Sequence, residues 1–344
     1  MIEIDGSLGA GGGQVLRTAL SLSAICQKPF RMVHVRKGRK KPGLMAQHLL
    51  CVRALQQICG AQVRGDRLGS EEVVFQPGLS RWGEYDLPIA TAGSTSLLLQ
   101  AVLPPLIMTA QPSTMTLSGG THVPFSPCYD YIAQIFLPAL RKMGVPVESR
   151  IDQYGFYPKG CGKVRVSLGP APELKPLDLT DRGEMRQIRG ISAVANLPDH
   201  IGKRQQGAVL EVLAARGYSA EVEIRTLGAF GPGTFVFLKA ETGSGSAGFS
   251  ALGERGKRAE VVGREAAGQL LDYADSGASL DLHLADQILL YLALARGESR
   301  FTTSRITNHL LTNLDVIKRF LEVEVDVRGT PGRPGLVILN SRRP

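Results

Sequence analysis

The sequence predicts an α/β (α+β) protein: a main domain of three repeated βαββ-type units, with sheets covered by helices on one face, plus a smaller inserted α/β domain. Two observations carry the prediction. A plan of strand, glycine loop, helix and strands occurs three times, each time behind a further helix. From about Gln187 to Asp275 the plan breaks off, and a complete strand–helix–strand–strand–helix unit takes its place. The main domain is therefore expected to comprise 1–184 and 276–344, and the insert 185–275, joined where a surface loop tolerates an insertion.

The elements follow in order. "MIEID" reads as a strand, and "GSLGAGGG" opens onto the helix 14–26. "RMVHVRKGRKKPGLMAQHLLCVRALQQICGAQVRG" is strand, basic glycine loop, helix and strand, continued by the strand "EEVVFQPG". A short strand then leads to the helix "TSLLLQAVLPPLIM" and the second copy, "TMTLSGGTHVPFSPCYDYIAQIFLPALRKMGVPVESRI", closed by "GKVRVSLG". In the insert, "QIRGISAVANLP" precedes the helix 202–217 and two strands within 219–242. A Gly/Ser stretch, 241–260, is expected as a loop before the helix 260–274. The helix 284–297 introduces the third copy, 300–329, closed by "GLVILN".

Composition is that of an ordinary globular chain, with 43% hydrophobic and 21% charged residues. No apolar run is long enough to span a membrane, and the N-terminus lacks the basic and apolar regions of a secretory leader, so a cytoplasmic protein is expected. Five cysteines without a Cys-x-x-Cys pair fit reduced structural thiols. A net charge of +9 favours a polyanionic partner.

Candidate chemistry concentrates in the loops that open onto helices. Thr302, Ser304 and Ile306 alternate as in a strand, whereas Leu310, Leu314, Ile317 and Phe320 recur at helical spacing. Thr307 or Asn308 is thus the expected N-cap, which places His309 in the first helical turn. Partial positive charge at a helix N-terminus depresses the pKa of an imidazole and seats phosphate oxygens, and a neutral imidazole beside a phosphate is a nucleophile. Taken alone, the residues leave open that His309 merely caps or packs the turn. Gly11, Gly12 and Gly13 permit close approach of an anion, although the loop is neither a Walker loop nor a G-x-G-x-x-G match and also suits a tight packing turn. Arg36, Lys37, Arg39, Lys40 and Lys41 form either a solvated basic loop or, at the same junction type as His309, an anion clamp. Gln47 and Gln100 lie on the helices that follow such loops. No Ser-His-Asp elbow and no His-Glu-x-x-His motif occurs.

Together the blocks "GGGQVLRTALSLS", "RKGRKKPGLMAQHL", "AGSTSLLLQAVLP", "GGTHVPFSPCYDYI", "YGFYPKGCGKVRV", "LGERGKRAEVVG", "LADQILLYLALA" and "TNHLLTNLDVIKRFL" resemble the RNA 3′-terminal phosphate cyclases. The resemblance spans nearly the whole chain and implies the same fold of three units with an insert, akin to the enolpyruvyl transferases. It implies an ATP-dependent enzyme in which His309 attacks the α-phosphate, releases pyrophosphate and carries AMP. AMP would pass to an RNA 3′-phosphate, and the adjacent 2′-hydroxyl would displace it to leave a 2′,3′-cyclic phosphate. Arg17, Arg36, Arg39, Gln47 and Gln100 would hold phosphates by the same resemblance. Pro127, Tyr131, Phe249, His283, Asp286 and Gln287 would line the adenosine pocket. ATP and Mg²⁺ or Mn²⁺ are the implied cofactors, RNA with a 3′-phosphate end is the implied partner, and no membrane is involved.

The chain departs from the family pattern at Ala10, where the family carries a glutamate that helps hold the metal. Alanine offers no oxygen ligand, so no protein metal ligand is expected there and metal dependence should be weakened. Tyr154 and Cys161 are smaller departures. Eukaryotic relatives that act in ribosome assembly lack the histidine, and an enolpyruvyl transferase needs no covalent one. His309 therefore separates the cyclase expectation from both rivals.

Overall fold

The structure is a computed structural model, which describes residues 1–9, 12–89 and 91–341. Its elements alternate in chain order. β1 (Ile2–Asp5), α1 (Gly13–Cys26), β2 (Phe30–Val33), α2 (Ala46–Cys59), β3 (Gln62–Arg64) and β4 (Val73–Gln76) come first. They are followed by β5 (Glu84–Pro88), α3 (Thr95–Ile107), β6 (Ser113–Gly119), α4 (Tyr129–Tyr131), a π turn at Ile132–Phe136, α5 (Leu137–Lys142), β7 (Val147–Gln153) and β8 (Gly162–Leu168). Next are β9 (Asp178–Leu179), β10 (Met185–Ala195), α6 (Asp199–Ala214), β11 (Glu221–Leu227), β12 (Gly233–Thr242), β13 (Ser246–Leu252) and α7 (Ala259–Ser276). The chain closes with α8 (Leu282–Leu294), β14 (Gly297–Thr303), α9 (Asn308–Phe320), β15 (Val323–Gly329) and β16 (Gly335–Ser341).

Three of the four-stranded sheets share one topology: β1-β2-β4-β3, β5-β6-β8-β7 and β9-β14-β16-β15. In each the first two strands run parallel and the last two are antiparallel to their neighbours. Parallel pairing requires a crossover, and α1, α3 and α8 follow the first strand of their respective sheets. Burial alternates along β8, so one face is covered and the other is open to solvent. The helices of the three sheets pack on one another: α1 touches α2, α3 and α9, and α8 touches α9. α3 is buried almost all round, which explains its near-continuous apolar sequence.

The fourth sheet, β11-β10-β12-β13, is sandwiched. Val236 and Leu238 of β12 face α6 and α7, whereas Phe235 and Phe237 join the larger core. β13 lies in the Gly/Ser stretch expected to be a loop. The small residues there serve packing, since a methyl on Gly248 would lie 2.6 Å from Ile135 and 2.9 Å from Tyr131. β9 also escapes sequence periodicity, because two residues carry none. β14 ends at Thr303 rather than running on to Ile306, which is buried within the loop. Cys51, Cys59, Cys128 and Cys161 form no disulfide, and no helix among the described residues is long and apolar enough to cross a membrane.

Candidate active site

Helix N-termini converge at one place. Thr307 is the N-cap of α9, its hydroxyl oxygen accepting from Leu310 N at 2.9 Å. His309 follows in the first turn and keeps an exposed face. A methyl on Gly12, at the head of α1, would sit 3.7 Å from both His309 Cε1 and an Arg39 Nη. Gln47, in the first turn of α2, accepts from Ser94 N at 2.6 Å through Oε1 and donates to Ser94 O at 3.2 Å through Nε2, which binds α2 to the N-cap of α3. Helix dipoles and free backbone N–H groups therefore favour an anion where these ends meet.

Cationic side chains reinforce that field. Partial burial, then the positive charges of Arg17 and Arg39, then His283, lower the His309 pKa. The imidazole is thereby kept neutral at physiological pH, the form in which a ring nitrogen can attack. Arg36 belongs to the same basic group, but its backbone is left-handed (φ +57°) and its Nη1 donates to Lys41 O and Gly43 O at 2.8 and 3.0 Å. One edge of its guanidinium thus closes the basic loop on itself. His48 was not singled out in the sequence. Burial, Arg17 and Arg36 push its pKa down to about 3, and its Nδ1 accepts from Met45 N at 3.2 Å. The only signal available in advance was its place one residue after Gln47 in the first turn of α2.

Asp286 holds the helix that carries His309 in place. Its Oδ1 accepts from the Thr307 hydroxyl at 2.7 Å, the same hydroxyl that caps α9. Asn313 ties α9 further, donating to Asp286 O at 3.1 Å and accepting from the Thr18 hydroxyl of α1 at 2.6 Å. Burial raises the Asp286 carboxyl to about 7 against the favourable Thr307 hydrogen bond, with Asp281 adding to the rise. In the unfolded chain the same carboxyl ionises near 3.8. Between those values the native state binds more protons, so stability falls as pH rises from about 4 to 7 and is level above. Asp286→Asn keeps the acceptor for Thr307 and removes the charge. Urea unfolding should show that this variant loses the fall and is more stable than the parent at pH 8 by up to about 4 kcal/mol.

Beside Arg17 lies a cavity of about 60 Å³, lined among others by Gln14, Gln100, Asp286, Gln287, Tyr291 and Asn313. Gln100 Nε2, Gln287 Oε1 and the Tyr291 hydroxyl lack hydrogen-bond partners there. Orphaned buried polar groups are costly unless a ligand or water meets them, so the cavity is suited to polar contents. No group of three His, Cys, Asp or Glu side chains among the described residues could hold a metal ion. The nearby Asp286 carboxyl is committed to Thr307 and favours its protonated form. Ala10 lies outside the described residues.

The sequence pattern described as RNA 3′-terminal phosphate cyclase matches residues 8–327. The chain belongs to the RNA 3′-terminal phosphate cyclase family. It is 44% identical to the RNA 3′-terminal phosphate cyclase of Methanopyrus kandleri, with 98% of each chain covered. The Methylococcus capsulatus cyclase is 46% identical, over 98% of this chain and 96% of that one. The Archaeoglobus fulgidus cyclase is 45% identical, over 96% and 98%. An EPSP synthase from Acinetobacter baumannii, 12% identical, aligns over 99% of this chain and 64% of its own at a TM-score of 0.30, too distant to bear on the fold.

Several of the residues expected to bind adenosine are linked to one another in this cyclase-family chain. Tyr131 donates its hydroxyl to Asp281 Oδ1 at 2.8 Å and meets His283 edge to face at 6.2 Å. Asp281 caps α8 by accepting from His283 N and Leu284 N, so it orients the turn that carries His283, Asp286 and Gln287. Pro127 is half-buried just before α4. Phe249 belongs to the smaller core with α6 and α7. Strand alternation turns it to the opposite face of β13 from Gly248, where its ring packs on Tyr273 at 5.4 Å. Asp281 was missed in the sequence, although an Asp before an apolar helix is an N-cap signal.

Proposed function

We propose that the chain converts an RNA 3′-terminal phosphate to a 2′,3′-cyclic phosphate with ATP, through a covalent His309–AMP intermediate. The supporting observation is a neutral, accessible imidazole in the first turn of α9 beside Arg17 and Arg39. A ring nitrogen attacks the α-phosphorus, a P–N bond forms, and the P–O bond to pyrophosphate breaks. An oxygen of the RNA 3′-phosphate then displaces the imidazole. The terminal 2′-hydroxyl attacks the 3′-phosphorus and AMP leaves. Arg17 and Arg39 offset the charge that develops on the phosphates, where a water-poor site makes such contacts strongest. Gln47 and Gln100 fix neighbouring oxygens, while Tyr131, His283 and Gln287 face the nucleoside. Arg36 braces the loop that presents Arg39. The three topologically equivalent sheets form the catalytic domain, and 185–275 forms an insert with a core of its own.

The test supplies ATP and a 3′-phosphorylated oligoribonucleotide, with and without Mg²⁺ or Mn²⁺. The terminal phosphate should become resistant to phosphatase only when ATP is present, and the protein without RNA should gain the mass of one AMP. Phosphatase-sensitive ends and an unmodified protein under every metal condition would overturn the reading. Ala10→Glu should make the reaction depend more strongly on the metal.

A further inference from the structure

Three loops meet at one rim. Thr121 N and His122 N donate to Gly155 O at 2.9 and 3.1 Å, joining 121–128 to 154–161. Tyr154 pairs with Ala229, and Asn196 Nδ2 donates to Ala229 O and Gly231 O at 2.8 and 3.3 Å, which adds the loop 228–232. Beneath them His122 is buried, 2.9 Å from Asp130 through Nε2 and stacked on Phe235 at 4.1 Å. The Phe156 ring lies against the backbone at Gly233. This base is rigid and well satisfied.

The tips of the same loops carry aromatic rings exposed to solvent: Phe125 at 103%, Tyr157 at 68% and Phe230 at 63%. Exposure of one large apolar side chain is unremarkable, but one on each of three adjoining loops needs a reason. Phe125 carries a second cost. Its backbone is left-handed (φ +62°), a conformation that bulky residues rarely adopt and that clusters at ligand sites. Lys159 is exposed in the middle loop, and its stem reaches the backbone of Gly231.

The rim is continuous with the reacting centre on two sides. Gly160 lies against Thr91 and Ala92, and the same turn ends at Ser94, which Gln47 holds. Phe125 stands two residues before Pro127, in the loop that enters α4 and leads to Tyr131 and Asp281. Both connections run from the rim to residues read above as holding phosphate or nucleoside. Single-stranded RNA offers unstacked bases and a phosphate backbone, which aromatic faces interleaved with lysine accept without base preference.

We propose that Phe125, Tyr157 and Phe230, with Lys159, form a stacking platform for the nucleotides just upstream of the RNA 3′-phosphate. The proposal rests on the cyclase reading above. It implies that the length of the RNA contributes to substrate affinity, whereas the step with ATP does not involve the rim.

The test compares the parent with Phe125→Ala, Tyr157→Ala and Phe230→Ala, singly and combined, on a 3′-phosphorylated decanucleotide and on a nucleoside 3′-phosphate. The combined variant should raise KM for the decanucleotide by roughly 10- to 100-fold. KM for the nucleoside 3′-phosphate and the rate of AMP attachment should stay at parental values. Phe125→Leu, which keeps apolar bulk without a ring, should behave like Phe125→Ala, whereas Phe125→Trp should retain the parental KM. A 5-iodouridine at the penultimate position should crosslink to one of the three loops. A parental KM for the decanucleotide in the combined variant, or crosslinks confined to other segments, would overturn the platform. If the parent itself neither gained AMP nor cyclised RNA, the cyclase reading would fall instead.

Discussion

His309→Ala is expected to take up no AMP when incubated with ATP, and to lose cyclisation of a 3′-phosphorylated RNA by at least about a thousandfold. The expectation rests on what this position supplies that no neighbour can. Arg17 and Arg39 are permanently charged and cannot attack phosphorus. His48 is held neutral, but its Nδ1 is engaged by Met45 N, and its Nε2 points towards the backbone of Gly13, where a methyl would lie only 2.4 Å away. Intact-protein mass gives the first readout, and thin-layer separation of released and cyclic ends gives the second. Because the His309 pKa is lowered, the nucleophilic form persists below the ordinary histidine range. The rate of AMP attachment should therefore rise with pH along an acid limb centred below 6.5. Retention of AMP by His309→Ala would move the nucleophile elsewhere.

Gly155→Ala is expected to destabilise the fold by at least about 3 kcal/mol, enough to threaten soluble expression. The added methyl would meet Gly119 O at 2.4 Å, Gly162 N at 2.4 Å and Gly160 O at 2.7 Å. All three are backbone atoms at the crossing of β6, β8 and the loop between β7 and β8, so no side chain can swing aside. The crossing is further pinned by Gly155 N, which donates to the Thr121 hydroxyl at 3.0 Å. Gly268→Ala makes the control: it lies within α7, nothing stands within 4 Å of the added methyl, and alanine suits a helix better by about 1 kcal/mol. Denaturant unfolding that ranks the two variants together would refute the packing argument.

Much of the site could be read from local pattern. Thr307 caps α9 and His309 occupies its first turn because cap chemistry and helical spacing are written in adjacent residues. Gly11 of the glycine loop, like Ala10, lies outside the described residues. Local reading stops at β13, where the sequence does not say that Gly248 faces Tyr131 and Phe249 faces Tyr273. Arg36 was expected on phosphate by resemblance, and only the folded loop reveals that part of its guanidinium is committed to carbonyls.

The sequence by itself determined most of the helices, the Thr307 cap and the apolar helix faces, because each depends on residues within one or two turns of one another, and its motifs along the whole chain determined the family. The tertiary structure alone decided the shared topology of three sheets, the strands β9 and β13, the Asp286–Thr307 bond across 21 residues and the Thr18–Asn313 bond across 295. It also brought three exposed rings to one rim. Such contacts join segments whose separation in the chain carries no periodic signal, and packing of the whole core selects which of them form.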